Sequence, residues 1–127
     1  MNLLEHIVDH LDFLGLGAAN TDSQPGNLFW GQMPDQPDRA LSVLSVNSSG
    51  YAQDGIRIQI FTRGPVGDAR VPYEWACVLD EAIGCFTGFL HGDGPYVRLE
   101  TLSCAEGCGM DTRGRHLYVS QYRLYRC

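Results

Sequence analysis

The sequence contains no lysine. All nine basic residues are arginine, set against fifteen acidic ones, for a formal net charge of −6. No basic run interrupts this balance. Contact with phosphates needs concentrated positive charge, so the chain is a poor candidate for nucleic-acid binding. No apolar run approaches the roughly 20 residues of a membrane span. The opening stretch "MNLLEHIVDHLDFLGLG" carries acids throughout and no basic leading segment. It is not expected to be a secretory signal, which points to manufacture in a cytoplasm. There is no internal repeat, no low-complexity tail and no Gly-Lys-Ser/Thr phosphate loop.

Cysteine is present but in an odd number, five. With no export signal, a disulfide framework is not expected. Cys77 and Cys85 fall in a helix-like stretch, where a buried thiol acts as a small apolar group. Cys104 and Cys108 have C-x3-C spacing, with only His116 near in sequence. A structural zinc site wants a second pair. No metal and no cofactor are therefore expected.

The 127 residues suffice for one domain, residues 1–127, with one modest core. Residues 3–14 read as a helix: Leu3, Leu4, Ile7, Val8, Leu11 and Leu14 recur at three- and four-residue steps, and Gly15 and Gly17 stop it. Residues 28–33 predict a strand ended by Pro34, and residues 41–47 another. "IRIQIFT" alternates with period two from Ile56 until Gly64-Pro65 breaks it. Asp68 predicts an N-cap and Pro72 a first-turn residue of a second helix. Ala76, Leu79, Ile83 and Phe86 mark its buried stripe, Trp75 and Val78 widen it, and Gly84 or Gly88 ends it. "HGDGP" is a turn. "YVRLETLSC" and "RHLYVSQYRLYR" are two strands joined by a glycine-rich loop. The expected fold is α+β: a mainly antiparallel sheet of about five strands with two helices on one face, in the order α-β-β-β-α-β-β.

Each chemical constellation has a plain counterpart. His6 and His10 stand four apart in "HIVDH", spacing that suits a shared metal. Yet Asp9 stands where zinc enzymes of this pattern need Glu, no third ligand is evident, and both imidazoles are expected on the polar face. His91 with Cys85 or Cys104 would make a base and nucleophile, but Gly-Asp-Gly is foremost a turn sequence. No catalytic set survives, and the chain is not expected to be an enzyme. A small metal-dependent enzyme using the paired histidines or cysteines stays as a distant alternative.

Two features suit an interface. The corner "PDQPD" holds Pro34, Asp35, Pro37 and Asp38, a stiff exposed turn. The last strand is rich in Tyr and Arg, residues enriched at protein interfaces. It places Tyr118, Tyr122 and Arg126 on one face and Arg123 and Tyr125 on the other. An ordinary strand with aromatic cross-strand pairs would read the same way.

The order of these segments resembles the small minor capsid and tail-terminator (tail-completion) proteins of tailed phages. The likeness is carried by "LLEHIVDHLDFLGLG", "LFWGQMPDQPDRALSVLSV", "GIRIQIFTRG", the helix "YEWACVLDEAIGCF" and a long final strand. In that family a strand ends in a corner like Pro34 to Asp38, and an alternating isoleucine strand precedes the second helix. The five cysteines and the glycine-rich loop from Ala105 to Arg115 depart from the pattern. The resemblance implies a structural virion protein of the tail or neck, assembled in the bacterial host cytoplasm. It would form a ring, a hexamer, that caps the head-proximal end of the tail tube and ends its polymerisation. Its partners would be further copies of itself, the tail tube protein and a neck or head-completion protein, with DNA passing through the lumen. A neck connector is the close alternative. The ring contacts expected are the corner, the loop "NSSGYAQDG" with Tyr51 and Asp54, and Tyr122, Arg123 and Tyr125.

Overall fold

The computed structural model describes residues 1–46 and 55–126. The loop carrying Tyr51 and Asp54, position 47 of the expected second strand, and Cys127 lie outside the described residues.

Helix α1, Leu3–Phe13, starts with a capping box: the Asn2 side chain accepts from the Glu5 N–H and the Glu5 carboxylate from the Asn2 N–H. It closes with a Schellman turn. Gly15, at φ +80°, donates to Asp12 O, and Leu16 donates to Leu11 O. Ile7, Val8 and Leu11 are buried as their spacing predicts, while Leu14 sits past the last turn and is exposed.

Strand β1, Leu28–Trp30, is shorter than expected. It stops before Pro34 because Gly31 turns the chain at φ +83°, with its N–H on Val43 O and its carbonyl held by the Ser42 hydroxyl. Strand β2, Ala40–Val46, then runs parallel to β1. Parallel neighbours normally need a crossover of a dozen or more residues; here residues 31–39 make the return.

Strand β3, Ile56–Val66, pairs antiparallel with β2 and continues through Gly64-Pro65. The expected break is instead a bulge between Arg63 and Val66, where a residue without an N–H costs no ladder bond. Helix α2, Arg70–Ile83, is capped by the Asp68 carboxylate, which accepts from the Arg70 and Val71 N–H groups. Trp75, Ala76, Leu79 and Ile83 are buried. Val78 faces outward at 48 % exposure, and Phe86 packs on the core from beyond the helix end. Cys85 is exposed and lies outside α2, so it is no core residue.

Strand β4, Thr87–Phe89, was not foreseen and makes a sixth strand. Strand β5, Tyr96–Met110, extends through most of the stretch read as a loop, and β6, Arg115–Arg126, returns along it. The β5–β6 register shifts at three places, one of them at Gly107–Met110, where Gly109 stands at φ +82°. The sheet order is β1-β2-β3-β6-β5-β4, antiparallel except for β1 with β2.

Both helices contribute to one core, over a single face of the sheet: Ile7, Val8, Leu11, Trp75 and Leu79 meet Leu41, Val43, Ile58, Ile60, Leu99 and Leu124. Each such side chain contributes about 1.5–3 kcal/mol on burial. Tyr122 sits at the centre with no exposed surface; its hydroxyl donates to Asp80 Oδ1 at 3.1 Å. Among the described residues, no helix is long and apolar enough to cross a membrane.

Candidate assembly surfaces

The corner from Pro34 to Asp38 is the β1–β2 return. Its carbonyls point inward, where backbone oxygens need donors. Arg63, only 4 % exposed, supplies them: Nη2 donates to Pro34 O (2.8 Å), Pro37 O (2.7 Å) and Asp35 O (3.3 Å), and Nε to Asp38 O (2.9 Å). Arg115, 3 % exposed, lies next to it. It donates to Asp111 Oδ2 (2.8 Å), Asp35 O (2.6 Å), Asp35 Oδ1 (2.9 Å) and Asp38 Oδ1 (3.0 Å). Arg113 reaches Asp35 Oδ2 at 2.8 Å. Two guanidinium groups, Arg113 and Arg115, thus meet the carboxylates of Asp35, Asp38 and Asp111, while Arg63 serves backbone carbonyls, and arginine's planar fork suits such shared contacts.

Burial and the neighbouring charge of Arg115 pull the Arg63 pKa down. Burial also works against Arg115, but its bonds to Asp111, Asp38 and Asp35 outweigh it and raise its pKa. The Asp111 carboxyl is held below its ordinary range, mainly by the Arg115 backbone N–H and then by the Arg115 side chain. The backbone carbonyls of the corner are thus held by Arg63 and Arg115. Asp35, Gln36 and Pro37 remain exposed. The sequence reading missed the clamp. Its signal was an arginine at each end of a strand pair, Arg63 after the isoleucine run and Arg115 opening the last strand.

Beside the corner, Arg39 stacks its guanidinium 4.5 Å over the Trp75 ring, a cation–π contact. The Trp75 indole N–H donates to Leu16 O at 2.9 Å.

The last strand divides differently from the expectation. Tyr122 is wholly buried and so cannot meet a partner; it belongs to the core. Burial, then the charge of Asp80, raise its pKa and keep it a neutral donor. Arg123 and Tyr125 stand on the face of the sheet away from both helices. They are joined there by Arg57 and Arg98, which the strand pairing brings alongside: Arg57 opposite Arg123, Arg98 opposite Tyr125. Two like charges in register are unfavourable. The Arg57 Nη2 donates to the Gln121 side chain, and Glu100 pairs in register with Arg123. Arg98 stacks 4.2 Å over Tyr125, whose hydroxyl donates to Glu100. No basic cluster is visible in the sequence; the fold gathers one from three strands.

Behind the sheet, α1 carries several acids, of which Asp12 accepts from the Ala19 N–H. Glu5, Asp9 and Asp12 lie along α1, and Gly92 of the following turn sits against the Asp9 carboxylate, next to Asp93. None of these four acids enters an ion pair among the described residues.

His10 corrects an expectation: it is buried, at 6 % exposure, not solvated. Its Nδ1 accepts from the His91 N–H at 3.0 Å, and its ring packs 4.7 Å from Phe86. Burial, then His91, lower its pKa, with Asp9 opposing. His91 itself stacks on Phe13 at 4.1 Å. Among the described residues, neither Cys85 nor Cys104 hydrogen-bonds to His91, and no three His, Cys, Asp or Glu side chains converge as metal ligands. Cys108 turns to Glu106 O instead of Cys104.

No family model, curated protein or solved structure matches the chain.

Proposed function

We propose that the protein is a structural subunit of a tailed-phage virion, a tail terminator that assembles head to tail into a ring on the tail tube. One observation carries the reading: three arginines and three acids are grouped on opposite sides of the sheet. The arginines Arg57, Arg98 and Arg123 lie on the sheet face away from the helices, and the acids Glu5, Asp9 and Asp12 lie on α1 behind the sheet. A ring needs two different patches per subunit, each complementary to the other. Electrostatic complementarity sets register and speeds encounter. The rigid corner, with Asp35 and Pro37 outward, is a second contact, suited to the tube below or the neck above. Such a ring works by geometry alone: it occupies the growing end of the tube and offers a different surface to the head.

The test is electron microscopy of tails assembled with and without the protein. Tails of fixed length bearing a ring, and overlong tails in its absence, support the terminator. Normal tails that fail to join heads assign it to the neck. Unchanged tails and heads reject both.

A further inference from the structure

Tyr73, Cys77 and Asp80 follow one another along one side of α2 at four- and three-residue steps. All three meet the ribbon made by β5 and β6. At one end, Asp80 Oδ1 accepts from the Thr101 hydroxyl (2.8 Å) and the Tyr122 hydroxyl (3.1 Å), and Thr101 also donates to Gly84 O. At the other end, the Tyr73 ring packs edge-on to Tyr118 at 5.5 Å. Cys77 lies between these anchors, on the side of α2 that faces the ribbon, and Cys104 of β5 falls in the stretch between them: its neighbour Ala105 donates its N–H to Ser120, midway between Tyr118 and Tyr122. Both are free thiols, Cys77 half-buried and Cys104 exposed.

The strand around Cys104 is not locked. The β5–β6 register shifts between Thr101 and Ser103 and again between Ser103 and Glu106. Ala105 stands at φ +52°, and its N–H goes to the Ser120 hydroxyl, not to a ladder carbonyl. Such a segment can give the movement that brings the two facing sulfurs to the ~2.05 Å of a disulfide.

We propose that Cys77 and Cys104 form a reversible disulfide that fastens α2 to the β5–β6 ribbon when the protein meets a small-molecule disulfide such as oxidised glutathione. The exposed Cys104 thiolate attacks one glutathione sulfur. The glutathione S–S bond breaks, a mixed disulfide forms, and one glutathione leaves as thiolate and takes up a proton. The Cys77 thiolate then attacks the Cys104 sulfur and expels the second glutathione. Two protein thiols are oxidised, and one glutathione disulfide is reduced to two thiols. Because burial and the charge of Asp80 hold the Cys104 thiol up, the rate climbs with pH through the ordinary thiol range and beyond. The inference is independent of the tail reading.

The test treats the full-length protein with oxidised glutathione across a neutral-to-alkaline pH series. Non-reducing digestion with trypsin and a glutamate-specific protease separates the four relevant cysteines, since Glu81 divides Cys77 from Cys85 and Glu106 divides Cys104 from Cys108. The expected product links residues 75–81 to residues 101–106. It is reversed by dithiothreitol and accompanied by a rise in Tm of roughly 5–10 °C. Cys85→Ser and Cys108→Ser leave its yield unchanged; Cys77→Ala and Cys104→Ser abolish it. A Cys104–Cys108 link, links only between molecules, or glutathione adducts that never resolve would each overturn the assignment. The wild-type map alone decides it, should a variant fail to fold.

Discussion

Arg115 Nη1 meets Asp38 Oδ1 at 3.0 Å across 77 residues of sequence. That contact joins the start of the last strand to the return between the first two, at the far edge of the sheet. It explains why so short a connection can support a parallel pair. The loop does not hold its own shape; two arginines from neighbouring strands hold it.

Losing Arg115 strips donors from Asp111, Asp35 and Asp38, but these carboxylates reach solvent and Asp35 keeps Arg113. Arg115→Ala is therefore expected to lower stability by about 1–3 kcal/mol, the range for lost hydrogen bonds to charged groups. Arg115→Lys should recover only part, since a single ammonium cannot serve Asp111, Asp35 and Asp38 together. Urea unfolding of the three proteins checks this; a Lys variant equal to wild type would show that the fork geometry is irrelevant.

His10 sets a pH dependence. Its folded pKa is depressed, so the unfolded chain binds its proton first as pH falls. The stability tied to neutral His10 is fully present above the ordinary histidine value of about 6.5. It drains away as pH falls from there through the lowered folded value. His10→Gln should flatten that part of the curve, read by denaturation midpoints at a series of pH values. A wild-type midpoint that holds steady or rises on acidification through this window would contradict the buried, proton-free imidazole.

Tyr122→Phe removes one donor to Asp80 while Thr101 remains. A loss of about 1–2 kcal/mol is expected. Because Tyr122 has no surface, assembly of the folded variant should be unchanged. Stability and sedimentation measured together separate the two effects.

A Cβ on Gly64 would stand 2.5 Å from Pro72 Cδ, where α2 crosses the bulge of β3. The proline ring cannot yield freely, so Gly64→Ala should cost about 1–3 kcal/mol. Thermal melting gives the value, and an unchanged Tm would mean that helix and bulge can separate.

Charge reversal probes the ring. Arg98→Glu with Arg123→Glu should abolish association, and Asp9→Arg with Asp12→Arg should do the same. Mixing the two double variants should restore association only between unlike subunits, in alternating order. Native mass spectrometry reads the outcome; homotypic rings from either variant would remove the charge argument.

The sequence revealed those elements whose apolar spacing was undisturbed. The stripe of Ile7, Val8 and Leu11 and the alternation of Ile56, Ile58 and Ile60 each survive as buried faces. It misled where local chemistry speaks of a break and tertiary pairing overrides it. Gly64-Pro65 reads as an ending but is absorbed by a bulge. Ala105 to Met110 reads as a loop but is strand with irregular register. Long-range partners were invisible for a different reason: nothing near Arg63 or Arg115 in the chain announces that each would be buried. His10 likewise looks solvated on α1 until the His91 turn and Phe86 close over it.

The sheet ends on both sides in strands of only three residues, Leu28–Trp30 and Thr87–Phe89. Beyond the second of these, the uncovered margin of β5 is broken by bulges. An edge that short or that uneven is a poor template for another chain's backbone. Copies of this protein are thereby discouraged from adding to one another strand by strand, the route to fibrils.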